Sequence, residues 1–265
     1  MPRRTRLDAE LVRRGLARSR EHASQLIAAG QVTVRGTVAG KPATAVETDA
    51  PVVVREQVGD DWASRGAHKL IGALDAFAID VGGKRVLDAG ASTGGFTDVL
   101  LRRGAREVVA ADVGRGLLVW RLQTDDRVLV LDKTNVRALT PEQTRGPVDL
   151  VVADLSFISL RLVLPALLAC TTEDADLVPM VKPQFEVGKD RLGSGGVVRD
   201  PGLRAAAVRT VGTEAEALGL RVHGVTASPL PGPSGNVEYF VWLRRGEPNP
   251  DAAALVETAV REGPQ

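Results

Sequence analysis

Four ionisable side chains, far apart in the chain, could meet over one crevice and move a proton. They are two lysines, Lys69 and Lys182, and two carboxylates, Asp154 and Glu238. A neutral lysine can act as a general base toward a hydroxyl group, and burial next to a second cation favours the neutral amine. A surface salt bridge, worth about 0–1 kcal/mol, is the plainer interpretation of any one lysine–carboxylate pair. Convergence of all four side chains beside a glycine turn favours a catalytic site over structural salt bridges.

The glycine turn lies in Val86–Phe96, with the sequence VLDAGASTGGF. The pattern predicts a strand, a turn and the first residues of a helix. Its glycine spacing is neither that of the dinucleotide fingerprint nor that of a P-loop, and no lysine follows, so a pyrophosphate is not the obvious ligand. The structural alternative is a turn that only packs a helix on a strand.

Acidic residues at the ends of neighbouring strands point to a nucleoside. Asp112 ends the second strand, where it could bind both ribose hydroxyls, and Asp132 ends the third, where it could bind an adenine amino group. A nucleoside cofactor without phosphates indicates S-adenosylmethionine. The predicted cofactor-binding residues are Asp88, Gly90, Ala91, Ser92, Thr93, Gly94, Phe96, Asp112, Val113, Asp132 and Asp154.

Strands and helices must alternate to bring these residues to one edge of a sheet. The apolar strand segments predict an α/β fold with a mostly parallel sheet covered on both faces. The last two strands, 221–227 and 237–243, follow each other without a helix, so one of them should be antiparallel. The other predicted strands are 85–88, 107–112, 127–131, 148–153 and 176–181, and the helices are 67–78, one from Gly94, and those near 116–122, 160–170 and 202–218.

The first 59 residues predict a small α+β module. Helices are expected over 5–17, capped by Thr5, and over 20–29, capped by Ser19, followed by short strands. The polar segment before residue 67 is a linker candidate. The predicted domains are 1–59 for RNA binding, 60–66 for the linker, 67–246 for catalysis and 247–265 for a C-terminal tail.

Charge distribution assigns a ligand to the first module. Residues 1–59 hold 10 basic and 6 acidic side chains, a net charge of +4, which leaves −3 for the remainder of a chain whose total is +1. The module has no aromatic residue, so structured RNA held by its phosphates is favoured over stacked single strands. Arg13 and Arg14 are assigned to a solvated face. The predicted RNA-binding residues are Arg3, Arg4, Arg6, Arg18, Arg20, Lys41, Arg65, Arg137, Phe157 and Lys189, with Phe157 either stacking on a flipped base or belonging to the core.

Composition excludes several other classes of protein. One cysteine, Cys170, and three histidines cannot supply a zinc site of known spacing, so no metal is expected and Cys170 is assigned to the core. No segment approaches the roughly 18 apolar residues of a membrane span, and the charged N-terminus is not a signal peptide. We therefore expect a soluble, cytoplasmic and monomeric protein.

Longer strings carry a family resemblance. The set Lys69, Asp154, Lys182 and Glu238 resembles the K-D-K-E set of FtsJ-like ribose 2′-O-methyltransferases, and SRGAHKL, DAGASTGGFTDVLLRRGA, DLSFISL, KPQFEVG and GNVEY resemble the TlyA (haemolysin-like) family. The first module is similar to the S-four-type (alpha-L) RNA-binding domain. The resemblance implies a class I, Rossmann-like methyltransferase with a seven-stranded sheet that methylates cytidine in 16S ribosomal RNA, 23S ribosomal RNA or both. It also implies Lys182 as general base, with the other three residues positioning it.

Two departures from the family pattern and two alternatives stay open. Val34-Arg35-Gly36 stands where the RNA-binding domain usually has Val-Asn-Gly, and Asp132-Lys133 stands where the family often has Glu-Arg. One alternative is a ribosome assembly factor that binds RNA without catalysis, which loss of a lysine or aspartate of the set would have favoured. The other, suggested by the haemolysin name, is a membrane-active protein, and the basic segment fits an RNA module better.

Overall fold

A computed structural model describes residues 4–17, 20–28, 30–54, 62–232, 234–247 and 249–264, without the side chains of Gln25, Lys189 and Ser194. The chain divides into two compact units, residues 1–61 and 62–265. The predicted linker at 60–66 straddles this division, and its residues 60 and 61 lie outside the described part. Each unit is described on its own.

The N-terminal unit combines two helices with two small antiparallel sheets. Its core consists of the apolar residues of the helices and strands, among them Leu7, Leu11, Ile27, Val32 and Val46. β1 pairs with β4, and a second sheet has the order β3-β2-β5. The elements are β1 (Arg4–Arg6), α1 (Leu7–Arg13), α2 (Arg20–Ala28), β2 (Val32–Val34), β3 (Thr37–Val38), β4 (Ala45–Glu47) and β5 (Val52–Val54).

The first helix begins later than the sequence predicts. Thr5 does not cap it, because the backbone of Thr5 belongs to β1 and pairs with Val46. The helix is seven residues long, and its N-cap position, Arg6, makes no side-chain capping bond. The prediction was wrong because pairing with a strand about 40 residues away leaves no local signal. Ser19, the predicted cap of α2, lies outside the described residues.

The C-terminal unit is built on one seven-stranded sheet. The strand order is β11-β12-β10-β9-β6-β7-β8. β12 is antiparallel to both β10 and β11, while the remaining neighbours pair in parallel, so β12 is the antiparallel strand that the sequence predicts. The strands are β6 (Arg85–Ala89), β7 (Glu107–Ala111), β8 (Val128–Leu131), β9 (Val148–Ala153), β10 (Thr171–Val181), β11 (Leu220–Ala227) and β12 (Tyr239–Arg245).

Helices cover both faces of this sheet, as predicted. One apolar cluster holds residues of α3 and α4, and the other holds residues of α6, α8 and α9. Cys170 is fully buried in the second cluster, as expected. The helices are α3 (Gly66–Ala76), α4 (Gly95–Arg102), α5 (Trp120–Gln123), α6 (Leu164–Ala169), α7 (Pro183–Glu186), α8 (Pro201–Ala217) and α9 (Ala252–Glu262).

Two helices differ from the prediction. The helix near 116–122 is only Trp120–Gln123, because the backbone N–H groups of Gly114 and Gly116 in the preceding loop donate to Asp112 and Asp132. The helix near 160–170 is broken into a 3₁₀ turn (Leu160–Leu162) and α6, whose first turn contains a proline, since proline suits only the start of a helix. The helix in the C-terminal segment, α9, buries Val256 and Val260 against the sheet unit.

Candidate active site

The carboxyl ends of β6 and β9 come together at Gly90. This residue follows β6 and has φ +88°, and a Cβ atom there would lie 2.6 Å from the carbonyl oxygen of Asp154. Only glycine allows this approach, because the clash is with backbone that cannot rotate away. The glycine that the sequence singles out therefore brings the turn after β6 against the end of β9.

Asp112 fixes the two loops that follow β6 and β7. Its Oδ2 accepts a hydrogen bond of 2.8 Å from the backbone N–H of Ser92, and its Oδ1 accepts one of 2.7 Å from that of Gly114. Ser92 adopts the left-handed conformation with φ +48°. Each carboxylate oxygen retains a further lone pair, so Asp112 can still accept bonds from two hydroxyl groups.

The loops surround a cavity with two adjoining compartments, of about 320 Å³ and about 440 Å³. Gly90, Ser92, Asp154 and Ser156 line both compartments. The smaller compartment is also lined by Ser64, Arg65, Gly66, Lys69, Ala91, Thr93, Gly95, Phe96 and Lys182. The larger is also lined by Ala111, Asp112, Val113, Leu117, Thr134, Asn135, Val136, Leu155, Phe157 and Ile158.

The larger compartment suits a nucleoside without phosphates. Its lining contains no lysine or arginine, and Asp112 is accompanied mostly by apolar and small side chains. Sequence reasoning did not assign Thr134, Asn135 and Val136 to the cofactor, although they follow β8 at the same sheet edge. Their position after a strand end could have identified them, but only the acidic residue at that strand end was assigned to the cofactor.

Three of the predicted cofactor-binding residues do not line the cavity. Gly94 is the N-cap of α4 with φ +100°. Asp132 is exposed, and its Oδ2 accepts a hydrogen bond of 2.9 Å from the Gly116 backbone. Asp88 is fully buried beneath the glycine turn, and its Oδ2 accepts a bond of 2.6 Å from the Thr97 hydroxyl on α4. Asp88 and Asp132 thus bind backbone or side chains next to the cavity, on α4 and at Gly116, without lining it.

Burial changes the acidity of Asp88. Its Oδ1 has no hydrogen-bond partner among the described residues. Burial is the main cause that raises the pKa of Asp88, to about 7; the Thr97 hydrogen bond opposes the shift, and the charge of Asp154 adds to it. A negative charge at Asp88 is therefore costly in this structure without a cation.

The four predicted catalytic residues form two lysine–carboxylate pairs. Lys69 Nζ on α3 lies 2.5 Å from Glu238 Oε2, and Lys182 Nζ lies 2.6 Å from Asp154 Oδ1. Lys69, Lys182 and Glu238 are buried, and Asp154 is half-buried. Lys69, Lys182 and Asp154 line the smaller compartment, whereas Glu238 lies behind Lys69. Such buried pairs differ from surface salt bridges, because each charge depends on its partner.

Phe157 stands at the rim of the larger compartment. Its side chain is 91% exposed, so it is not part of the core. Its backbone has φ +64°, an uncommon conformation for a bulky residue, and its ring lies 5.2 Å from that of Phe185. An exposed aromatic ring held in this way can stack on a flat ligand.

The predicted RNA-binding residues of the N-terminal unit are held by carboxylates. Arg6 and Arg20 each reach Asp8 Oδ2, at 2.9 and 3.0 Å, and Arg4 lies 3.4 Å from Glu47. Their side chains are 51%, 59% and 69% exposed, respectively. Lys41 is exposed. Arg3 and Arg18, and the side chain of Lys189, lie outside the described part of the chain.

The assignment of Arg14 to a solvated face was wrong. Its guanidinium donates to the carbonyl oxygens of Ala50 at 2.8 Å and Thr48 at 2.9 Å, and it also contacts Glu10. Arg14 therefore joins α1 to the chain between β4 and β5. Of the predicted RNA-binding residues in the C-terminal unit, Arg65 lines the smaller compartment and Arg137 is exposed.

The sheet order and the loop geometry define the class of protein. A seven-stranded sheet with one antiparallel strand and a glycine turn after the interior strand β6 is the class I methyltransferase fold. The family model for FtsJ-like methyltransferases matches residues 62–245, and the S4 domain model matches residues 5–52. The chain belongs to the FtsJ-like methyltransferase family and carries an S4 domain.

Known proteins with the same arrangement include both enzymes and haemolysins by name. The chain is 62% identical to the 16S/23S rRNA (cytidine-2'-O)-methyltransferase TlyA of Mycobacterium tuberculosis over the full length of both. It is 34% identical to Hemolysin A of Brachyspira hyodysenteriae, over 89% of this chain and 98% of that one. A solved structure described as a hemolysin of Streptococcus thermophilus matches with TM-score 0.76 and 36% identity, over 99% of this chain and 97% of that chain.

The described residues contain neither a membrane-spanning helix nor a cluster of metal ligands. None of their helices is long and apolar enough to cross a membrane. Within the same residues, no group of three or more histidine, cysteine or carboxylate side chains could hold a metal ion.

Proposed function

We propose that this protein transfers a methyl group from S-adenosylmethionine to the 2′-oxygen of a ribose, in a cytidine of 16S ribosomal RNA, 23S ribosomal RNA or both. The observation that carries the proposal is the pair of buried Lys182 and half-buried Asp154 at the point where both compartments of the cavity meet. The name of the relative from Mycobacterium tuberculosis supports the choice of substrate.

The cavity fits the cofactor. An adenosine without phosphates requires a backbone that the ligand can approach closely and an acceptor for the ribose hydroxyls, which Gly90 and Asp112 provide. It does not require cations for phosphates, and the described lining of the larger compartment has no lysine or arginine. When bound, S-adenosylmethionine supplies a methyl group attached to a positively charged sulfur. The sulfur keeps the electron pair of the carbon–sulfur bond when that bond breaks and becomes a neutral thioether. Val113 and the Thr134–Val136 segment would then hold the adenosine side of the cofactor.

Lys182 is the proposed general base. A ribose 2′-hydroxyl is too weak an acid to attack unless a base removes its proton as the new oxygen–carbon bond forms. The neutral amine of Lys182 takes that proton and becomes an ammonium, which Asp154 at 2.6 Å stabilises. Lys69 lines the same compartment and is positioned by Glu238 behind it. Lys69, Asp154 and Glu238 thus position the reacting groups.

The RNA would be bound by phosphate contacts and by one aromatic ring. The half-exposed arginines Arg4, Arg6 and Arg20, together with Lys41, can contact phosphates without reading bases. Phe157, exposed at the rim of the larger compartment, would stack on a base that leaves its helix to reach the cavity. Arg65 and Arg137 are further contacts, as are Arg3, Arg18 and Lys189 from the sequence. We expect the protein to act as a cytoplasmic monomer without a metal ion.

The test is methyl transfer from tritiated S-adenosylmethionine to ribosomal subunits that lack the modification. We expect label in RNA, within a cytidine whose 3′ phosphodiester resists alkali, because a 2′-O-methyl group removes the internal nucleophile. Label on a base would contradict the ribose assignment. Cofactor binding without any transfer would favour the assembly factor, and leakage of loaded vesicles without transfer would favour the haemolysin.

A further inference from the structure

The Lys182 amine has two neighbours of different kinds. Asp154 Oδ1 lies 2.6 Å from Nζ as an ion pair, yet it has no aligned hydrogen-bond donor among the described residues. The hydroxyl of Ser156 lies 3.0 Å from the same Nζ and accepts a hydrogen bond from it. Charge attraction has little directional preference, whereas a hydrogen bond weakens steeply when it is misaligned. The carboxylate thus supplies charge, and the hydroxyl supplies direction.

We propose that Ser156 is a positioning residue for Lys182, an inference that rests on the proposed function. A neutral amine has two N–H bonds and one lone pair. Ser156 accepts one N–H, which fixes the orientation of the amine and leaves its lone pair for the proton of the ribose hydroxyl. Because Lys182 is only 7% exposed, few water molecules could replace these partners.

The segment that carries Ser156 is itself fixed to the helix that follows Lys182. Lys182 is the N-cap residue of α7, and α7 ends at Glu186. The Glu186 carboxylate accepts a bond of 2.6 Å from the Ser159 hydroxyl and one of 2.8 Å from the Leu160 N–H, and its side chain is 1% exposed. Buried charge-assisted bonds of this kind hold their partners firmly. The segment that carries the Ser156 hydroxyl and the segment that carries the Lys182 amine are therefore joined to each other through Glu186.

A second contact joins the same two segments. Phe157, the residue after Ser156, packs its ring 5.2 Å from the ring of Phe185 on α7. Phe157 has φ +64°, an unfavourable conformation for a bulky residue that persists only where its surroundings hold it. The backbone thus adopts an unfavourable conformation at Phe157, directly after the residue whose hydroxyl meets Lys182.

The experiment compares Ser156→Ala with Ser156→Thr in the full-length protein. Threonine keeps the hydroxyl, and its extra methyl can be accommodated because Ser156 is exposed. Thr210→Ala serves as the matched control, since Thr210 is an exposed residue of α8 whose hydroxyl donates to the Ala206 carbonyl of the same helix. The measurements are kcat and the KM of each substrate, with ribosomal subunits and S-adenosylmethionine, and thermal unfolding followed by tryptophan fluorescence.

We expect kcat of Ser156→Ala to fall by about 10- to 100-fold, because misplacement of a catalytic group by about 1 Å has an effect of that size. Both KM values should stay within about threefold of wild type, the unfolding temperature should not change, and Ser156→Thr should recover most of kcat. Thr210→Ala should match wild type throughout.

Three outcomes would overturn the inference. One is an unchanged kcat in Ser156→Ala. Another is a loss confined to KM, which would make Ser156 a substrate contact. The third is a threonine variant as slow as the alanine variant. In all three the wild-type protein is active, so the proposed function stands. An inactive wild-type protein that binds both substrates would instead contradict the proposed function and the inference with it.

Discussion

Buried carboxylates occur in both units, but their surroundings give them opposite properties. In the N-terminal unit, Asp8 and Glu10 are almost inaccessible and contact arginines. The hydrogen bond from Arg13 lowers the pKa of Glu10 to about 2, and that from Arg6 holds the pKa of Asp8 well below its usual range. In the C-terminal unit, burial raises the pKa of Asp88 to about 7, since its hydrogen-bond partner is the neutral Thr97 hydroxyl. Burial alone therefore does not fix the charge of a carboxylate; a cation within reach does.

The arginines of the N-terminal unit and the lysines of the cavity also differ in their exposure to solvent. The arginines of the N-terminal unit keep their guanidinium groups half-exposed over buried acids, which suits contact with phosphates. The two lysines of the cavity are themselves buried, which suits proton transfer to one group. Loss of an acid should thus have a larger effect in the cavity than on the surface of the N-terminal unit.

The largest expected effect is that of Glu238→Ala. It leaves the buried Lys69 ammonium without its partner, which typically costs about 3–5 kcal/mol of unfolding free energy. The matched variant Glu47→Ala removes the partner of Arg4 and Arg35, which are 69% and 62% exposed, and should cost less than about 1 kcal/mol. Urea unfolding measures both, by tryptophan fluorescence for the C-terminal unit and amide exchange for the other. Equal losses would contradict the comparison.

Asp88→Asn should flatten the dependence of stability on pH. The pKa of Asp88 in the folded state, about 7, exceeds the ordinary value of 3.8. Its contribution to the free energy of unfolding is therefore complete at pH below about 4 and is lost as pH rises through about 7. About three pKa units correspond to on the order of 4 kcal/mol for a fully buried group. Unfolding of the C-terminal unit in urea at pH 5 and pH 8 measures the difference. Parallel losses in wild type and variant would show that Asp88 is ionised in both states.

Glu10→Gln should have a smaller effect of opposite sign. The pKa of Glu10 in the folded state, about 2, lies below the ordinary value of 4.5. Its contribution to the free energy of unfolding is therefore present above about pH 4.5 and is lost as pH falls through about 2. Residues 1–59 contain no tryptophan, so amide exchange of α1 at pH 3 and pH 6 is the suitable measurement. The wild type should lose more protection at pH 3 than the variant does. A variant equally sensitive to acid would remove Glu10 from the account.

The smallest expected effect is that of Lys41→Ala on RNA binding. Loss of one phosphate contact should weaken binding modestly and reduce the slope of log K against log salt by about 1. Arg261→Ala, on α9, removes the same charge outside the proposed RNA contacts and should leave the slope unchanged. Filter binding to ribosomal subunits over a range of salt concentrations gives both slopes. Identical slopes for the two variants would return Lys41 to the solvated surface.

Local patterns predict much of this molecule. Apolar runs locate all seven strands of the large sheet, and Gly90 and Asp112 mark the cavity because both follow strand ends. What fails depends on distant contacts. The pairing of Thr5 with Val46 and the carbonyl contacts of Arg14 join segments about 40 residues apart. The hydrogen bond between Ser156 and Lys182 likewise spans two strands, and no spacing in the sequence announces it.

The most direct test of the catalytic account is a comparison of Lys182→Ala with wild type. Cofactor affinity is measured by calorimetry, and methyl transfer to ribosomal subunits is measured in a single turnover. General base catalysis typically contributes 10²–10⁴-fold, so we expect transfer to fall by at least about 100-fold while the Kd for S-adenosylmethionine stays within about threefold. Transfer within about tenfold of wild type at unchanged affinity would show that Lys182 is not the base.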